Sequence, residues 1–343
     1  MSRYAGWTAG SRTIRCDHIM YGILCDQHGP PDVMQYRTLP DPQPAADEVV
    51  IKAEAIGVNY VDTMRRSGGH PSAPPAPLTP GIEVCGRIVA IGTNVTRFTT
   101  GDRVIGRCVT TGAYAELVAV QERFTVACPE SIPANQAAGL FVNPQTAFHA
   151  LHTMGHVQPD DSVLVTAAAG GVGLCAVQMA RTARARVIAL AGSSEKLELA
   201  SRFGADVTID YTQAGWPDAV RSATDGGGAG LVLDSVGGET TAGCVACWAP
   251  GGRLVIYGQA TGVPGLVPGD ELLFGNRIVH GLAVGTVIED EELMRSAMEQ
   301  IFEQYHSGQL KIHIGLKLPL RDAPEAHRQL EARRTSGKII LLP

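Results

Sequence analysis

The sequence predicts an α/β protein with two domains, one β-rich and barrel-like, the other a doubly wound parallel sheet. Its length of 343 residues exceeds what one ordinary hydrophobic core supports. Short β-type runs separated by Pro and Gly fill the first part of the chain. After about Leu140, strands alternate with amphipathic helices, which is typical of a parallel sheet covered on both faces.

The first domain is predicted over 19–140, behind an extension of residues 1–18 that we expect to be disordered. Its strand signals are VVIKAEAIGV (49–58), EVCGRIVAIG (83–92), GDRVIG (101–106) and YAELVAV (114–120). A Pro-rich loop, SGGHPSAPPAPLTPG, spans 67–81 between the first two of these runs. Alternating short strands of this kind predict a closed or partly closed β-structure.

The second domain is predicted over 141–284, and residues 285–343 are expected to complete the first. Its strands and helices alternate as VLVTA (163–167), LCAVQMARTAR (174–184), RVIALA (186–191), SEKLELASRFGA (194–205), VTID (207–210), LVLDSVGG (231–238) and RLVIYG (253–258). The last segment contains two predicted helices, 289–308 and 322–334, and a final strand, KIILL. The parallel-sheet domain is therefore expected to be inserted into the β-rich one.

Composition and charge exclude several classes of partner. The net charge of -6 provides no basic field for nucleic acid or anionic lipid. Apolar runs are far shorter than the roughly 20 residues that cross a bilayer. Eight cysteines in a long chain without a secretory hydrophobic segment indicate reduced thiols and a cytoplasmic protein. Cys244 and Cys247 are interpreted as small residues on a helix face, in preference to a metal or redox pair.

A glycine cluster follows the first strand of the second domain and precedes a helix. This strand–turn–helix context is that of a dinucleotide site, in which backbone N–H groups at a helix N-terminus bind the pyrophosphate. Gly170 would let the backbone approach the phosphates, and Gly173 would let helix and strand pack closely. The alternative is a tight corner that binds nothing. The predicted contacts are Ala169, Gly170, Gly171, Val172 and Gly173.

The end of the next strand distinguishes between the two nicotinamide cofactors. Sites for NAD place an acidic residue there, whereas RVIALAGSSEK offers Ser193, Ser194 and Lys196. Two hydroxyls and a cation suit a 2′-phosphate, so NADPH is the predicted cofactor. In the alternative interpretation Ser194 only caps the following helix and Lys196 is a solvated surface charge.

Several motifs together resemble the medium-chain dehydrogenase/reductase superfamily. They are GVNYVDTMRRSG (57–68), TPGIEVCGRIVAIG (79–92), GDRVIG (101–106), AAAGGVG (167–173) and ARRTSGKIILLP (332–343). Within the superfamily the chain is most similar to the zinc-independent quinone oxidoreductase branch. The resemblance implies a GroES-like catalytic domain, a Rossmann NADPH-binding domain and a homodimer. The dimer would join the two Rossmann domains along an edge strand near 277–282.

The resemblance also implies chemistry without a catalytic metal. Asn59, Ile82 and about Val142 stand where zinc-dependent relatives carry their ligands, and these side chains are unsuited to zinc. Without a Lewis acid, a quinone or an α,β-unsaturated carbonyl is a better hydride acceptor than a simple ketone. The protein would then align donor and acceptor and stabilise an enolate-like oxygen. Glu83 is expected to make a structural hydrogen bond.

The same resemblance implies which residues surround the reacting groups. Asn59 matches an asparagine near the nicotinamide, and Tyr60 can donate to a developing oxyanion or simply pack. Met64 replaces a tyrosine common in the branch, which weakens an assignment to quinones alone. Asp62 and Arg65 are expected to hold the loop as an ion pair or cap. Asn143 and Thr146 are expected to line the cleft or to cap a helix.

Further cofactor contacts implied by the resemblance lie after later strands. Tyr211 follows the third strand of the second domain and would pack near the adenosine phosphate. Tyr257, Gly258 and Gln259 follow the fifth strand at its carboxyl end, where ligands bind in doubly wound sheets. Arg333 would approach the phosphates from the C-terminal segment, or would remain a solvated helix end.

Three functions stay open at this point. The first is an NADPH-dependent, zinc-independent oxidoreductase that transfers hydride to a quinone or an α,β-unsaturated carbonyl. The second is an enoyl-thioester or alkenal reductase, which a deep acyl channel would distinguish. The third is a crystallin-like protein that binds NADPH without turning it over, since fold alone does not settle function.

Overall fold

A computed structural model describes residues 19–109 and 111–343, so the predicted extension 1–18 lies outside the described residues. The strands, β1 to β15, are Ile19–Cys25, Met34–Pro40, Glu48–Val58, Glu83–Ile91, Arg103–Arg107, Leu117–Gln121, Thr125–Ala127, Ser162–Val165, Arg186–Ala191, Val207–Asp210, Ala229–Asp234, Trp248–Ile256, Ile278–Gly281, Ile314–Pro319 and Lys338–Leu342. The helices, α1 to α11, are Tyr60–Ser67, Ala134–Ala137, Val142–Phe148, Gly171–Thr182, Ser194–Arg202, Trp216–Ala223, Gly238–Ala246, Gly269–Gly275, Val284–Val287, Glu291–His306 and Ala323–Glu331.

The β-rich part is built around a seven-stranded sheet that uses both ends of the chain. Its order is β14-β15-β3-β4-β5-β7, and β6 pairs with β3 away from this path. Strand β15 from the C-terminal segment runs antiparallel to β3, with Ile340 opposite Gly57. β1 and β2 form a separate antiparallel hairpin. The pairing of β15 with β3 brings the last strand beside the segment that leads into α1.

The middle of the chain forms a six-stranded sheet in the order β10-β9-β8-β11-β12-β13. All of its neighbours are parallel. Buried Val, Leu and Ile fill its central strands because helices cover both faces, for example Val163, Leu164 and Val165 in β8. Strand order reverses beside β8, and this is the crevice in which doubly wound sheets bind nucleotides. The predicted fold class is therefore observed.

Local signals explain where the long helices begin. The Asp290 carboxylate accepts from the N–H groups of Glu292 and Leu293, which starts α10 inside the predicted segment 289–308. Ser193 caps α5 by accepting from the Lys196 N–H at 3.4 Å. The interpretation of Ser194 as this cap is wrong: Ser194 is the first helical residue, because the extended backbone needed at a cap occurs at Ser193.

The two sheets meet through α3 and the C-terminal segment. Gly337 N donates to Ala169 O at 2.8 Å, so the segment before β15 lies against the glycine turn. On α3, Gln145 Nε2 donates to the Met294 carbonyl at 2.9 Å. One continuous apolar core includes residues of both parts, such as Ile105 and Val165. The domain limits 19–140, 141–284 and 285–343 stay a prediction.

In the part of the chain that the structure describes, no helix is both long and apolar enough for a transmembrane span.

Candidate active site

Asn59 lies between the end of β3 and the start of α1, where it is buried. The Asp62 carboxylate accepts from the Asn59 N–H at 2.8 Å, which closes the first turn of the helix. Asp62 therefore acts as the predicted cap. Among the described residues, Asp62 and Arg65 do not form the predicted ion pair. Arg65 NH2 instead donates to the Val109 carbonyl at 3.1 Å.

A buried polar cluster fixes the Asn59 side chain. Lys338 Nζ donates to Glu83 Oε2 at 2.6 Å and to Asn59 Oδ1 at 2.7 Å. Asn59 Nδ2 donates to the same Glu83 oxygen at 3.1 Å. Glu83 Oε1 accepts from the N–H groups of Phe141 and Val142 at 2.9 and 3.0 Å. Both atoms of the Asn59 amide are thus oriented by charged partners, with Lys338 and Glu83 only 2% and 0% exposed.

This cluster is unsuited to a zinc ion. The amide of Asn59 offers only a weak oxygen donor, and the Lys338 ammonium already occupies that oxygen. Ile82 is buried among apolar side chains, and Val142 contributes its backbone N–H to Glu83. A fixed ammonium therefore supplies the positive charge at this point of the cleft.

Tyr60 and Met64 lie on the half-buried face of α1. The Tyr60 hydroxyl donates to the Ala260 carbonyl at 2.9 Å, so it reaches the loop after β12. Burial raises the pKa of Tyr60, while the charge of Arg333 opposes this rise. The phenol therefore stays protonated at neutral pH. Its role toward a substrate oxygen stays a prediction, because its proton is directed here at a backbone carbonyl.

Asn143 and Thr146 are both buried in α3, but neither caps it. The helix begins after Phe141, and Thr146 Oγ1 donates back to the Val142 carbonyl at 2.7 Å inside the helix. The capping interpretation is wrong for both residues. Asn143 Oδ1 lies 3.5 Å from Lys338 Nζ. A Cβ atom added to Gly171 would lie only 1.9 Å from Asn143 Nδ2, so the amide packs directly against this glycine. Asn143 thus links the lysine cluster to the glycine turn.

The glycine turn leaves little room for a side chain at Gly173 and more room at Gly170; its role as a phosphate site stays a prediction. A Cβ at Gly173 would lie 2.4 Å from the Ala167 carbonyl oxygen, so this glycine allows close packing of α4 on β8, as predicted. At Gly170 the nearest atom to such a Cβ is Ala167 O at 3.2 Å. Helix α4 begins at Gly171, and the first N–H groups of a helix have no intrahelical acceptor, so this end of α4 favours an anion.

A second polar cleft lies beyond the end of β9. Its volume is about 390 Å³, and it is lined by Gly192, Ser193, Glu195, Lys196, Arg333, Arg334, Thr335 and Ser336. Lys196 Nζ donates to the Arg333 carbonyl at 2.6 Å, which joins α5 to the C-terminal segment. Burial and the charge of Arg333 lower the pKa of Lys196. The predicted cofactor residues Lys196 and Arg333, which are more than a hundred positions apart in the chain, thus line one cationic cleft. Ser194 is exposed next to it in the chain.

The other predicted cofactor residues border the same edge of the parallel sheet. A Cβ at Gly192 would lie 3.5 Å from the Tyr211 hydroxyl oxygen, so Tyr211 stands over the turn after β9. Tyr257 follows β12, and burial raises the pKa of its phenol. A Cβ at Gly258 would lie 2.9 Å from the Ser235 carbonyl, so this glycine lets two turns at the carboxyl edge approach each other.

Sequence reasoning missed Lys338 altogether and gave Glu83 only a structural role. The Lys338 contacts join residues 255 and 279 positions apart in the chain. From the sequence alone, a lysine at the first position of an apolar strand is interpreted as a solvated strand end. The usable signal was the run SGKIILLP, since a lysine at the start of a largely buried strand requires a partner if it is buried too.

Two family models match the chain. The alcohol dehydrogenase GroES-like domain matches residues 45–130, and the zinc-binding dehydrogenase model matches residues 171–303. The first spans β3 to β7 and the second spans α4 to most of α10.

Similar proteins match over nearly their whole length. The quinone oxidoreductase of Pseudomonas aeruginosa is 36% identical over 317 residues, covering 92% of this chain and 97% of the relative. The Escherichia coli quinone oxidoreductase complexed with NADPH has a TM-score of 0.90 and 31% identity, covering 94% of this chain and 100% of that one. A mycobacterial structure complexed with NADPH has a TM-score of 0.90 and 35% identity over the same shares.

Proposed function

Because the chain belongs to the medium-chain dehydrogenase/reductase superfamily, in its zinc-independent quinone oxidoreductase branch, we propose that it reduces quinones or α,β-unsaturated carbonyl compounds with NADPH. The observation that carries the proposal is the buried Lys338–Glu83–Asn59 cluster beside the glycine turn. It supplies a fixed cation and an oriented amide where metal-dependent relatives bind zinc. An acceptor that delocalises incoming negative charge onto its own oxygen suits such a site.

The residues present fit NADPH. The helix N-terminus at Gly170–Val172 would hold the pyrophosphate, and Ser193, Lys196 and Arg333 would hold the 2′-phosphate. When bound, NADPH supplies the hydride from its nicotinamide ring. Glu195 also lines the 2′-phosphate cleft, from the exposed first turn of α5. The three cationic side chains of the cleft, Lys196, Arg333 and Arg334, outnumber this carboxylate, which favours a phosphate over a ribose hydroxyl.

The protein contributes alignment and electrostatic stabilisation. Lys338 and Glu83 hold the Asn59 amide in one orientation, so the amide dipole points in a fixed direction. Tyr60, the first residue of α1, extends a protonated phenol to the Ala260 carbonyl in the loop after β12. A small opening of the Tyr60–Ala260 contact would free this hydroxyl to donate to a substrate oxygen that gains charge.

The test is oxidation of NADPH by purified protein with matched acceptors. The panel contains 1,4-benzoquinone, 1,2-naphthoquinone, an alkenal and an enoyl thioester, and loss of nicotinamide absorbance is followed. We expect turnover of the quinones. Turnover of the thioester alone would instead indicate an enoyl-thioester reductase. Tight NADPH binding without turnover of any acceptor would contradict catalysis and favour a crystallin-like binding role.

The cofactor preference is tested by Lys196→Met. Removing this cation should raise KM for NADPH about tenfold or more and leave KM for NADH nearly unchanged, because only NADPH carries the 2′-phosphate. Lys317→Met, at an exposed lysine of β14 outside this cleft, is the control. An equal effect of Lys196→Met on both cofactors would contradict the assignment of the cleft.

We further propose that the protein is a cytoplasmic homodimer. The seven cysteines of the described residues are free and buried, which suits a reducing compartment. Strand β13 is an edge strand, and large apolar side chains near it are exposed, among them Leu273, Phe274, Ile278 and Val279. An apolar edge of this kind favours pairing with a second copy.

A further inference from the structure

Helix α1 carries a half-buried arginine on the same face as Tyr60 and Met64. Residues 62, 63 and 66 of this helix are buried, whereas residues 60, 61, 64 and 65 are half-buried and form one face. Arg65 lies on that face. Its NH2 group donates to the Val109 carbonyl, and its buried Nε atom has no hydrogen-bond partner among the described residues.

A second arginine, Arg107, lies in β5. Its Cζ atom lies 5.2 Å from the centre of the Phe124 ring. A Cβ at Gly285 would lie 2.7 Å from its NH2 group, and Gly285 belongs to α9, directly after the carboxyl end of β13. Within the described residues, the buried NH1 group of Arg107 also lacks a partner.

These two arginines differ from other buried arginines of the chain. Arg66, Arg103 and Arg253 each have a carboxylate oxygen within 3.0 Å, from Glu331, Glu54 and Asp161. In the part of the chain that the structure describes, Arg65 and Arg107 form no salt bridge with a carboxylate. The unusual feature is therefore a pair of partly desolvated cations with unused donors.

Nearby carboxylates neutralise the positive charge of Arg65 and Arg107 only in part. Burial lowers the pKa of Arg107, Glu289 raises it, and the charge of Arg65 lowers it further. The Glu289 carboxylate also forms a salt bridge with Arg123 at 2.9 Å, so its negative charge is shared between Arg107 and Arg123. Desolvated cations with unpaired donors are unfavourable unless a ligand completes their hydrogen bonds.

We propose that Arg65 and Arg107 bind a carboxylate on the hydride acceptor, so that the substrates are quinones or enones with an acidic side chain. Planar guanidinium groups bind carboxylate oxygens with two parallel hydrogen bonds, and a site shielded from water strengthens them. Arg107 lies beside Gly285, shortly after the carboxyl end of β13, and Arg65 shares a helix face with Tyr60, whose hydroxyl contacts Ala260 after the carboxyl end of β12. The acceptor must lie near this edge of the sheet to receive hydride. The inference rests on the proposed reductase function, which it makes more specific.

A matched pair of acceptors tests it. One is 1,4-benzoquinone with a propanoate side chain, and the other is the amide of the same acid. The saturated linker keeps the electronic properties of the two quinones alike, so only the remote charge differs. We expect kcat/KM for the acid to exceed that for the amide about tenfold in the wild-type protein at low salt, mainly through KM.

Variants assign the preference to the two arginines. Arg65→Gln and Arg107→Gln should each bring the acid-to-amide ratio close to one, whereas Arg65→Lys should keep part of it because the charge remains. Arg221→Gln is the control, because Arg221 is a half-buried arginine of α6 that donates to the Ala246 carbonyl away from the cleft. This control should leave the ratio unchanged. Thermal unfolding verifies that each variant is folded.

The outcomes separate the two proposals. Equal kcat/KM for acid and amide in the wild-type protein overturns the carboxylate site and leaves the reductase function standing. A preference for the acid that survives both Gln substitutions also overturns it. Turnover of neither quinone overturns the proposed function, and the carboxylate site with it.

Discussion

At the scale of single residues, the Tyr114 hydroxyl joins two buried titratable side chains. It donates to Asp62 Oδ2 at 3.1 Å and lies 2.9 Å from His327 Nε2. Arg66 NH1 lies 3.2 Å from His327 Nδ1, and an arginine can only donate. His327 therefore carries its proton on Nε2 and donates to Tyr114. The chain of donors runs from Arg66 through His327 and Tyr114 to Asp62, the residue that closes the turn at Asn59.

The two ends of this chain respond to pH in opposite directions. Burial raises the pKa of Asp62 from 3.8 to about 7, so its contribution to stability falls as pH rises through that window. Burial, then the charge of Arg66, lowers the pKa of His327 from 6.5 to about 3, so its contribution falls as pH decreases from 6.5. The two effects partly cancel between about pH 4 and 6.

The substitution Asp62→Asn separates these effects. The amide oxygen can still accept from Asn59 and Tyr114, but it does not titrate. We expect the unfolding free energy of the variant to increase more steeply with pH between about 4 and 7, by up to about 1.4 kcal/mol per pH unit. Urea denaturation across this range measures the slope. Asp218→Asn, an exposed carboxylate of α6, is the control, and parallel curves for Asp62→Asn and wild type would contradict the prediction.

The Lys338–Glu83 pair gives the second prediction at this scale. Lys338→Met leaves a fully buried carboxylate without its cation, so we expect a loss of about 3–5 kcal/mol in unfolding free energy. The double variant Glu83→Gln/Lys338→Met removes both charges and should lose much less. Urea denaturation measures both. A double variant as unstable as the single one would show that the charge pairing is unimportant.

At the scale of elements, the strand–turn–helix β8–α4 could be predicted from the sequence because its determinants are local. The apolar run, the glycines and the helix that follows are contiguous in the chain, and the α10 cap at Asp290 is equally local. The site around Asn59 could be predicted only in part. Its buried cation comes from β15, and only the pairing of β15 with β3 brings Lys338 to Glu83.

Two glycines of the glycine turn are predicted to have different roles, Gly173 in packing and Gly170 in cofactor binding. In Gly173→Ala, the new methyl group would meet the backbone of Ala167 and Ala168, so we expect a stability loss of about 1–3 kcal/mol. In Gly170→Ala, the backbone conformation already suits alanine, with φ of -77°, and the nearest atom is 3.2 Å away. This variant should fold normally and bind NADPH at least about tenfold more weakly, because its methyl group would crowd the turn proposed to hold the phosphates.

Thermal unfolding and a fluorescence titration with NADPH distinguish the two roles. A normal affinity for NADPH in folded Gly170→Ala would mean that the phosphates lie elsewhere. Equal stability of Gly173→Ala and wild type would mean that α4 can move away from β8 without loss.

At the scale of the whole molecule, the predicted catalytic and cofactor residues come together within a single chain. Within one copy, the lysine cluster reaches Asn143 of α3, the glycine turn contacts Gly337 of the C-terminal segment, and Lys196 contacts the Arg333 carbonyl. Association is therefore expected to stabilise the protein without completing the site. Oligomeric state and activity can then be measured independently of each other.

Ile278→Lys tests the proposed dimer. Ile278 lies on the edge strand β13 and is 49% exposed, and the exposed side chain of Phe274 lies in α8, shortly before it. A lysine there places a desolvated charge in the apolar interface, which opposes edge pairing. We expect the wild-type protein to sediment as a dimer and this variant as a monomer at micromolar concentration. Leu293→Lys, at another exposed apolar position on α10, should remain dimeric.

A monomeric wild-type protein would contradict the proposed dimer, and an Ile278→Lys variant that stays dimeric would contradict the assignment of the interface to β13. Monomeric Ile278→Lys should retain NADPH oxidation within about threefold of wild type, because no predicted site residue lies in β13.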